Sequence, residues 1–179
     1  HYESDQWTVS PYLHGEYQWS DKLRMNLGVR YDYFKVKYSD LLPASIPESI
    51  GGSSHYRPES QTLTYDSTSP KLGVIYQVND TFQWFFSHKY SFRAPGISRL
   101  FTSGSTPDTE KLKPVRAFSS EFGLRGSLTK GFEYELNMYR LNVSDDIVNI
   151  VRNGDRKVIN AGKTEHIGFE SSLRFPAMT

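Results

Sequence analysis

The sequence predicts an all-β fold: a segment of an antiparallel, up-and-down transmembrane β-barrel occupying residues 1–179. Three observations predict it. Apolar residues recur with a period of two along most of the chain, the spacing of a strand whose side chains alternate between faces. The links between these stretches are alternately short and long, as in a barrel with tight turns at one rim and long loops at the other. One strand face is crowded with Trp, Tyr and Phe, while the opposite face carries full charges.

The stretch 22–38 is the clearest element. Leu23, Met25, Leu27, Val29, Tyr31 and Tyr33 share one parity, and Lys22, Arg24, Asn26, Arg30 and Asp32 share the other. After Tyr33 the apolar set moves to Phe34, Val36 and Tyr38, which predicts either a bulge or a strand leaving its apolar surroundings. The same alternation places strands near 7–19, 70–78, 81–93, 116–127, 131–143 and 158–175, with 146–152 as an extension of the sixth beyond a kink. Ser20-Asp21, Asn79-Asp80 and Ser127 to Gly131 are turn-forming links. The links near 39–69, 94–115 and 144–157 are long and rich in Gly, Pro, Ser and Thr. The Asp- and Asn-bearing link 144–157 lacks the ligand spacing of an EF-hand and reads as a turn region.

Composition narrows the function classes. The formal charge is +1, so no charge excess points to nucleic acid. Without cysteine there is no disulfide scaffold, thiolate metal site or cysteine nucleophile. Mean hydropathy is −0.58, and no run approaches the ~18 apolar residues of a membrane helix. Leu, Ile, Val and Phe make up about a quarter of the chain, above the ~20% below which disorder is expected. No Gly-x-Ser-x-Gly is present, and the five histidines, His1, His14, His55, His88 and His166, form no close ligand spacing, so neither an enzyme nor a cofactor is indicated. His88 falls on the apolar parity, and His14 and His166 fall on the polar one.

A soluble lipocalin-like barrel is the structural alternative, with its apolar side chains pointing inward. The charged face and the strand length argue for lipid instead. Residues 22–38 span about 56 Å at ~3.3 Å per residue, and still about 40 Å when tilted, against an apolar membrane band of ~25 Å. In that setting Trp7, Trp19, Tyr17, Tyr31 and Trp84 are anchors at the membrane interface. Seven strands do not close such a barrel, so further strands from a longer chain are expected.

Several short motifs carry a resemblance. Gly28-Val29-Arg30-Tyr31-Asp32, Ser69-Pro70-Lys71-Leu72-Gly73 with Tyr76, and Ser91-Phe92-Arg93-Ala94-Pro95 before Leu100-Phe101 occur in that order. Leu112-Lys113-Pro114 then precedes Glu121-Phe122-Gly123-Leu124-Arg125-Gly126, and Asn160-Ala161-Gly162 precedes Gly168-Phe169-Glu170. Together they resemble the barrel of TonB-dependent outer-membrane receptors, with Val115 standing where Glu is usual. The resemblance implies about seven strands of a 22-strand barrel whose N-terminal plug domain is absent here. It implies uptake of a scarce nutrient across the outer membrane of a Gram-negative bacterium, a ferric siderophore above all, energised by the TonB–ExbB–ExbD complex through that plug. A non-energised porin or adhesin is the alternative within the membrane class. Haem receptors of this family often carry a histidine between the motifs at 91–95 and 112–114, and residues 96–111 contain none.

The ligand-facing candidates lie beside the long loops. Arg93, Arg99 and Arg116 can offer charge-assisted hydrogen bonds to an anionic iron complex, and Tyr90, Phe101 and Tyr56 can add ring contacts. Loop 39–66 is expected to close over the ligand.

Overall fold

The computed structural model describes residues 1–42, 49–50, 53–54, 58–101, 108–129, 131–152 and 155–175. The strands are β1 (Tyr2–Val9), β2 (Tyr12–Gln18), β3 (Leu23–Asp40), β4 (Ser49–Ile50), β5 (Ser53–Ser54), β6 (Gln61–Asn79), β7 (Phe82–Arg93), β8 (Val115–Thr129), β9 (Phe132–Ser144), β10 (Ile147–Arg152), β11 (Asp155–Asn160) and β12 (Thr164–Arg174). A four-residue helix α1 (Ile97–Leu100) and a 3-10 turn (Thr109–Lys111) lie between β7 and β8.

The main sheet is an antiparallel meander, β1-β3-β6-β7-β8-β9-β12, with β2 also paired to β3. β1 and β2 are one stave. Their pairings with β3, Val9↔Tyr33 and Tyr12↔Arg30, continue one register across Ser10-Pro11. Pro11 has no N–H to donate, but its carbonyl still accepts from the Tyr31 amide at 3.0 Å. The seven predicted staves are therefore present, and the chain is all-β as expected.

Local chemistry sets the turn rim. The Ser20 hydroxyl accepts from the amides of Lys22 and Leu23. The Asn79 side chain accepts from the Thr81 amide and hydroxyl at 3.0 Å, next to a bulge between Gln77 and Asn79. Gly131, at φ 84°, takes the left-handed position of the β8–β9 turn, where a side chain would be strained.

Three boundaries differ from the sequence expectation. β6 starts at Gln61 rather than at residue 70, because 61–69 stay paired to β3. β10 does not extend the sixth stave: Asp145 adopts φ 58°, and β10 pairs with β11 in a separate hairpin. The last predicted strand divides into β11 and β12 for the same reason, so 144–157 holds most of a hairpin rather than a turn region alone.

The apolar parity lies on one face throughout. Register places Tyr17, Met25, Val74, Phe86, Phe122, Met138 and Phe169 in a single row across the staves. This face is open: Leu27 is 53% exposed and Phe169 is 69% exposed. The top of the apolar set slants. It is Tyr33 on β3 but Ile167 on β12, and the register carries Ile167 back through Arg140, Ser120, His88 and Leu72 to Leu27. The top thus falls from position 33 to 27 over five strand-to-strand steps, about one residue per step. Strands ~4.8 Å apart and tilted ~40° require about this slip for a level band.

The parity change after Tyr33 involves no register slip, since β3 and β6 pair continuously from Leu23↔Tyr76 to Tyr38↔Gln61. Instead the surroundings change. On the inner face Val36 and Tyr38 are buried with Leu100, Phe101 and Leu112, against which Phe34, Leu63 and Tyr65 pack. This small core sits at the loop rim, under the β7–β8 connection. An inward-packed lipocalin-like interior is not what the chain builds.

Candidate functional site: the loop rim and the inner wall

At the loop rim the long connections are tied into one body. The Asn160 amide accepts from the Lys113 backbone N–H at 2.8 Å and donates to the Lys113 carbonyl at 2.9 Å, imitating a strand partner. The same amide donates to the Asp145 carbonyl at 2.7 Å. The two motifs Leu112-Lys113-Pro114 and Asn160-Ala161-Gly162 are thus halves of one joint. Beneath it, the Thr109 hydroxyl donates to the Leu100 carbonyl at 2.8 Å, and the Tyr65 hydroxyl donates to the Leu112 carbonyl at 3.2 Å. Sequence reasoning missed Asn160 as a structural joint. Its only local signal was an Asn before Ala-Gly.

The predicted ligand residues separate. Arg93 ends β7 on the inner parity, exposed, with its guanidinium 3.5 Å from Asp146. Arg99, on α1, donates to the Asn149 side chain of β10 at 2.7 Å. These two therefore contact the start of the β10–β11 hairpin and the residue before it. Arg116 and Tyr90 lie on the opposite, apolar parity, in the same series as Phe118, on which the Tyr90 ring packs at 4.8 Å. Phe101 is 6% exposed and stacks on Tyr38 at 4.4 Å, so its ring is consumed by the core and offers no free face. Tyr56 lies outside the described residues, as do 43–48, 51–52, 55 and 57 of loop 39–66.

The aromatic residues predicted as anchors fall at two levels. Tyr17 and Trp19 pack edge-to-face at 5.8 Å near the turn rim, and on neighbouring staves Trp84 stacks on Tyr76 at 5.6 Å. Trp7 meets Tyr33 edge-to-face at 5.8 Å towards the loop rim, one row above Tyr31. Leu23 to Tyr33 separates the levels by about 33 Å along β3, or about 25 Å at a ~40° tilt. His88, on the same outward face, has its Nδ1 2.8 Å from the Ser120 hydroxyl.

The inner wall is polar and lined by glycines that face long side chains. Lys71 lies across Gly28, Asn26 across Gly73, the Phe85 ring across Gly123 and the Tyr139 ring across Gly168, each pair directly opposed between strands. A Cβ at Gly28 would overlap the Lys71 side chain. Gly28 of the motif at 28–32 thus seats Lys71 of the motif at 69–73, and Gly73 of the second motif seats Asn26, two residues before the first. Arg30 is fixed by Asp32, with guanidinium–carboxylate distances of 2.8 and 2.9 Å, and Ser10 donates to the same carboxylate at 2.7 Å.

The wall also contains a split. β6 pairs with β7 only from Lys71↔Lys89 to Asn79↔Phe82. Above that rung β6 continues along β3, and β7 continues along β8 to Arg93↔Val115. Pro70, the next residue of β6, has no N–H for a ladder, which accounts for the stop. Among the described residues no group of three or more His, Asp or Glu is placed to hold a metal ion, and no helix is long and apolar enough to cross a membrane.

Comparison with known proteins agrees with this architecture. Residues 1–176 match the family model described as TonB dependent receptor-like, beta-barrel. The rhizobactin receptor of Rhizobium meliloti (strain 1021) is 26% identical over 102 residues, covering 55% of this chain and 14% of that protein. The copper transporter OprC superposes with a TM-score of 0.77 at 16% identity, over 98% of this chain and 27% of its own. The Serratia marcescens hemophore receptor HasR, as a double mutant with its hemophore HasA and heme, gives 0.73 at 20% identity, over 96% and 32%. The chain thus spans about a third or less of each relative. It belongs to the TonB-dependent receptor family and forms part of that family's β-barrel.

Proposed function

We propose that this chain is the wall and loop rim of an outer-membrane receptor that captures an iron–siderophore complex and imports it with energy from TonB–ExbB–ExbD, through a plug domain elsewhere in the protein. The observation that carries the reading is the two-faced sheet within a receptor family: an unbroken apolar row outward, and a charged, glycine-cradled wall inward. Hydrocarbon is the partner such a row requires. In it, each fully buried Phe or Leu is worth about 1.5–3 kcal/mol, whereas the same row facing water leaves a large apolar patch. The two aromatic levels, represented by Trp7 with Tyr31 and by Trp19, Tyr17 and Trp84, are the headgroup anchors of that band. Relatives named as a rhizobactin receptor, a ferric-catecholate import receptor and an iron transporter support an iron complex as the cargo.

Within this reading, Arg93 and Arg99 are the loop-rim cations that meet the ligand. Arg93 keeps an exposed guanidinium, and its ion pair at 3.5 Å is of a kind worth about 0–1 kcal/mol, so an anionic complex displaces Asp146 easily. Arg116 and Tyr90 face the lipid headgroups instead. Deleting the full gene should abolish growth on, and uptake of, one radiolabelled ferric siderophore, and loss of TonB should have the same effect. Uptake that survives both deletions would reject the proposal. In the purified full receptor Arg93→Ala should weaken binding of that siderophore about tenfold and Arg116→Ala should leave it unchanged; equal effects would remove the assignment of sides.

A further inference from the structure

We propose that the split between β6 and β7 is a binding site for a carboxylate-bearing anion, held by Lys71, Lys89 and Arg30. The proposal borrows from the receptor reading only the identity of the lumen side.

Four observations carry it. Lys71 and Lys89 are directly opposed across the last β6–β7 rung. Like charges in that position destabilise a sheet. Both lysines are exposed, and among the described residues neither makes an ion pair. The acid on the neighbouring stave nearest in register to Lys89, Glu121, accepts instead from Asn137 at 2.6 Å and from Ser87 at 3.5 Å. Second, the cavity over this rung, about 460 Å³, is lined by Arg30, Lys71 and Lys89 and by no carboxylate. That volume suits a small ligand. Third, the cations are placed rather than loose: Lys71 is laid across Gly28, and Arg30 is anchored by Asp32. Fourth, Ser69 and Ser91 line the same cavity where the strands have separated, so hydroxyls and strand-edge backbone groups stand beside the charges. Three cations, of which Lys71 is held in place and Arg30 is already paired to Asp32, stand with neighbouring hydroxyls as partners for an oxygen-rich anion, and charge-assisted hydrogen bonds supply the affinity.

The carboxylate has two sources, a free molecule entering the lumen or an acidic side chain elsewhere in the receptor. The full-length receptor in detergent distinguishes them, with citrate as the probe and calorimetry as the readout. For a free anion, citrate binds, the Lys71→Gln/Lys89→Gln double variant loses at least tenfold in affinity, and Lys71→Arg/Lys89→Arg restores it. Gly28→Ala, which moves Lys71 without changing charge, then costs several-fold. For a tethered anion, citrate does not bind, and a zero-length carbodiimide couples Lys71 or Lys89 to an Asp or Glu of the same chain, identified by mass spectrometry. Citrate affinity insensitive to the Gln variants, or neither citrate binding nor coupling, overturns the proposal. Heat-modifiable gel mobility monitors folding of each variant. Siderophore uptake is not the readout, so failure here is distinct from failure of the receptor reading.

Discussion

The turn end and the loop end of this sheet are built from the same strands by different rules. Below the Lys71–Lys89 rung every stave is paired to its neighbours, and the continuous apolar row points outward, while Ile75 and the Phe85 and Tyr139 rings stand on the inner face. Above it the β6–β7 ladder has stopped, and on β3 the apolar set has moved to the inner face at Phe34, Val36 and Tyr38. Register is unbroken through that change, so what differs is the solvent on each side. The turn end fits hydrocarbon outside and a polar lumen inside. The loop end packs its inner face under α1 and Leu112. A strand therefore records its surroundings residue by residue, and a parity inversion without a bulge marks the height at which the surroundings change.

That contrast can be broken at several points. Phe101→Ala should have the largest effect, about 3–5 kcal/mol, because it empties the buried stack on Tyr38. The loss should be confined to the loop end: hydrogen exchange in 94–101 and 108–114 should accelerate, with β7–β9 below the split unchanged. Exchange that rises throughout the sheet would mean the two ends are one cooperative unit. Next, Phe122→Arg in the outward row should cost about 2–4 kcal/mol of folding into lipid, measured by denaturant titration in bilayers. Thr64→Arg, on the same face but near the loop end, should cost about 0–1 kcal/mol. Equal costs would place both positions in the same solvent. Asn160→Ala removes three hydrogen bonds at the joint with Lys113 and should cost about 1–3 kcal/mol. Its readout is proteolysis within 145–163, and resistance equal to the parent would show that the joint is dispensable. The smallest effect belongs to Arg93→Ala, about 0–1 kcal/mol of stability, so its tenfold effect on ligand binding would be functional rather than structural.

Much of the fold was legible before any coordinates. The seven staves, their two-faced parity and the tight turns at Ser20, Asn79 and Gly131 follow from alternation and turn chemistry, which are properties of neighbouring residues. The site was only half legible. Parity places Tyr90, Phe118 and Arg116 on one side and Arg93 on the other, whereas proximity to the loop groups Tyr90 and Arg116 with Arg93. Phe101 looked like a free ring because the strand that would bury it, with Tyr38, lies far back in the chain.

What the chain's own order of residues determined is the two-faced strand, since a period of two, a Pro or a Ser-Asp pair acts over a few bonds. Three things were decided only in three dimensions: that Asn160 completes Lys113 from 47 residues away, that Gly28 seats Lys71, and that Lys89 meets Lys71 at the last rung before the split. Each depends on which strand stands beside which and in what register. That is settled by the sheet as a whole, where one unpairable proline or one opposed pair of charges acquires its meaning from the neighbour it faces.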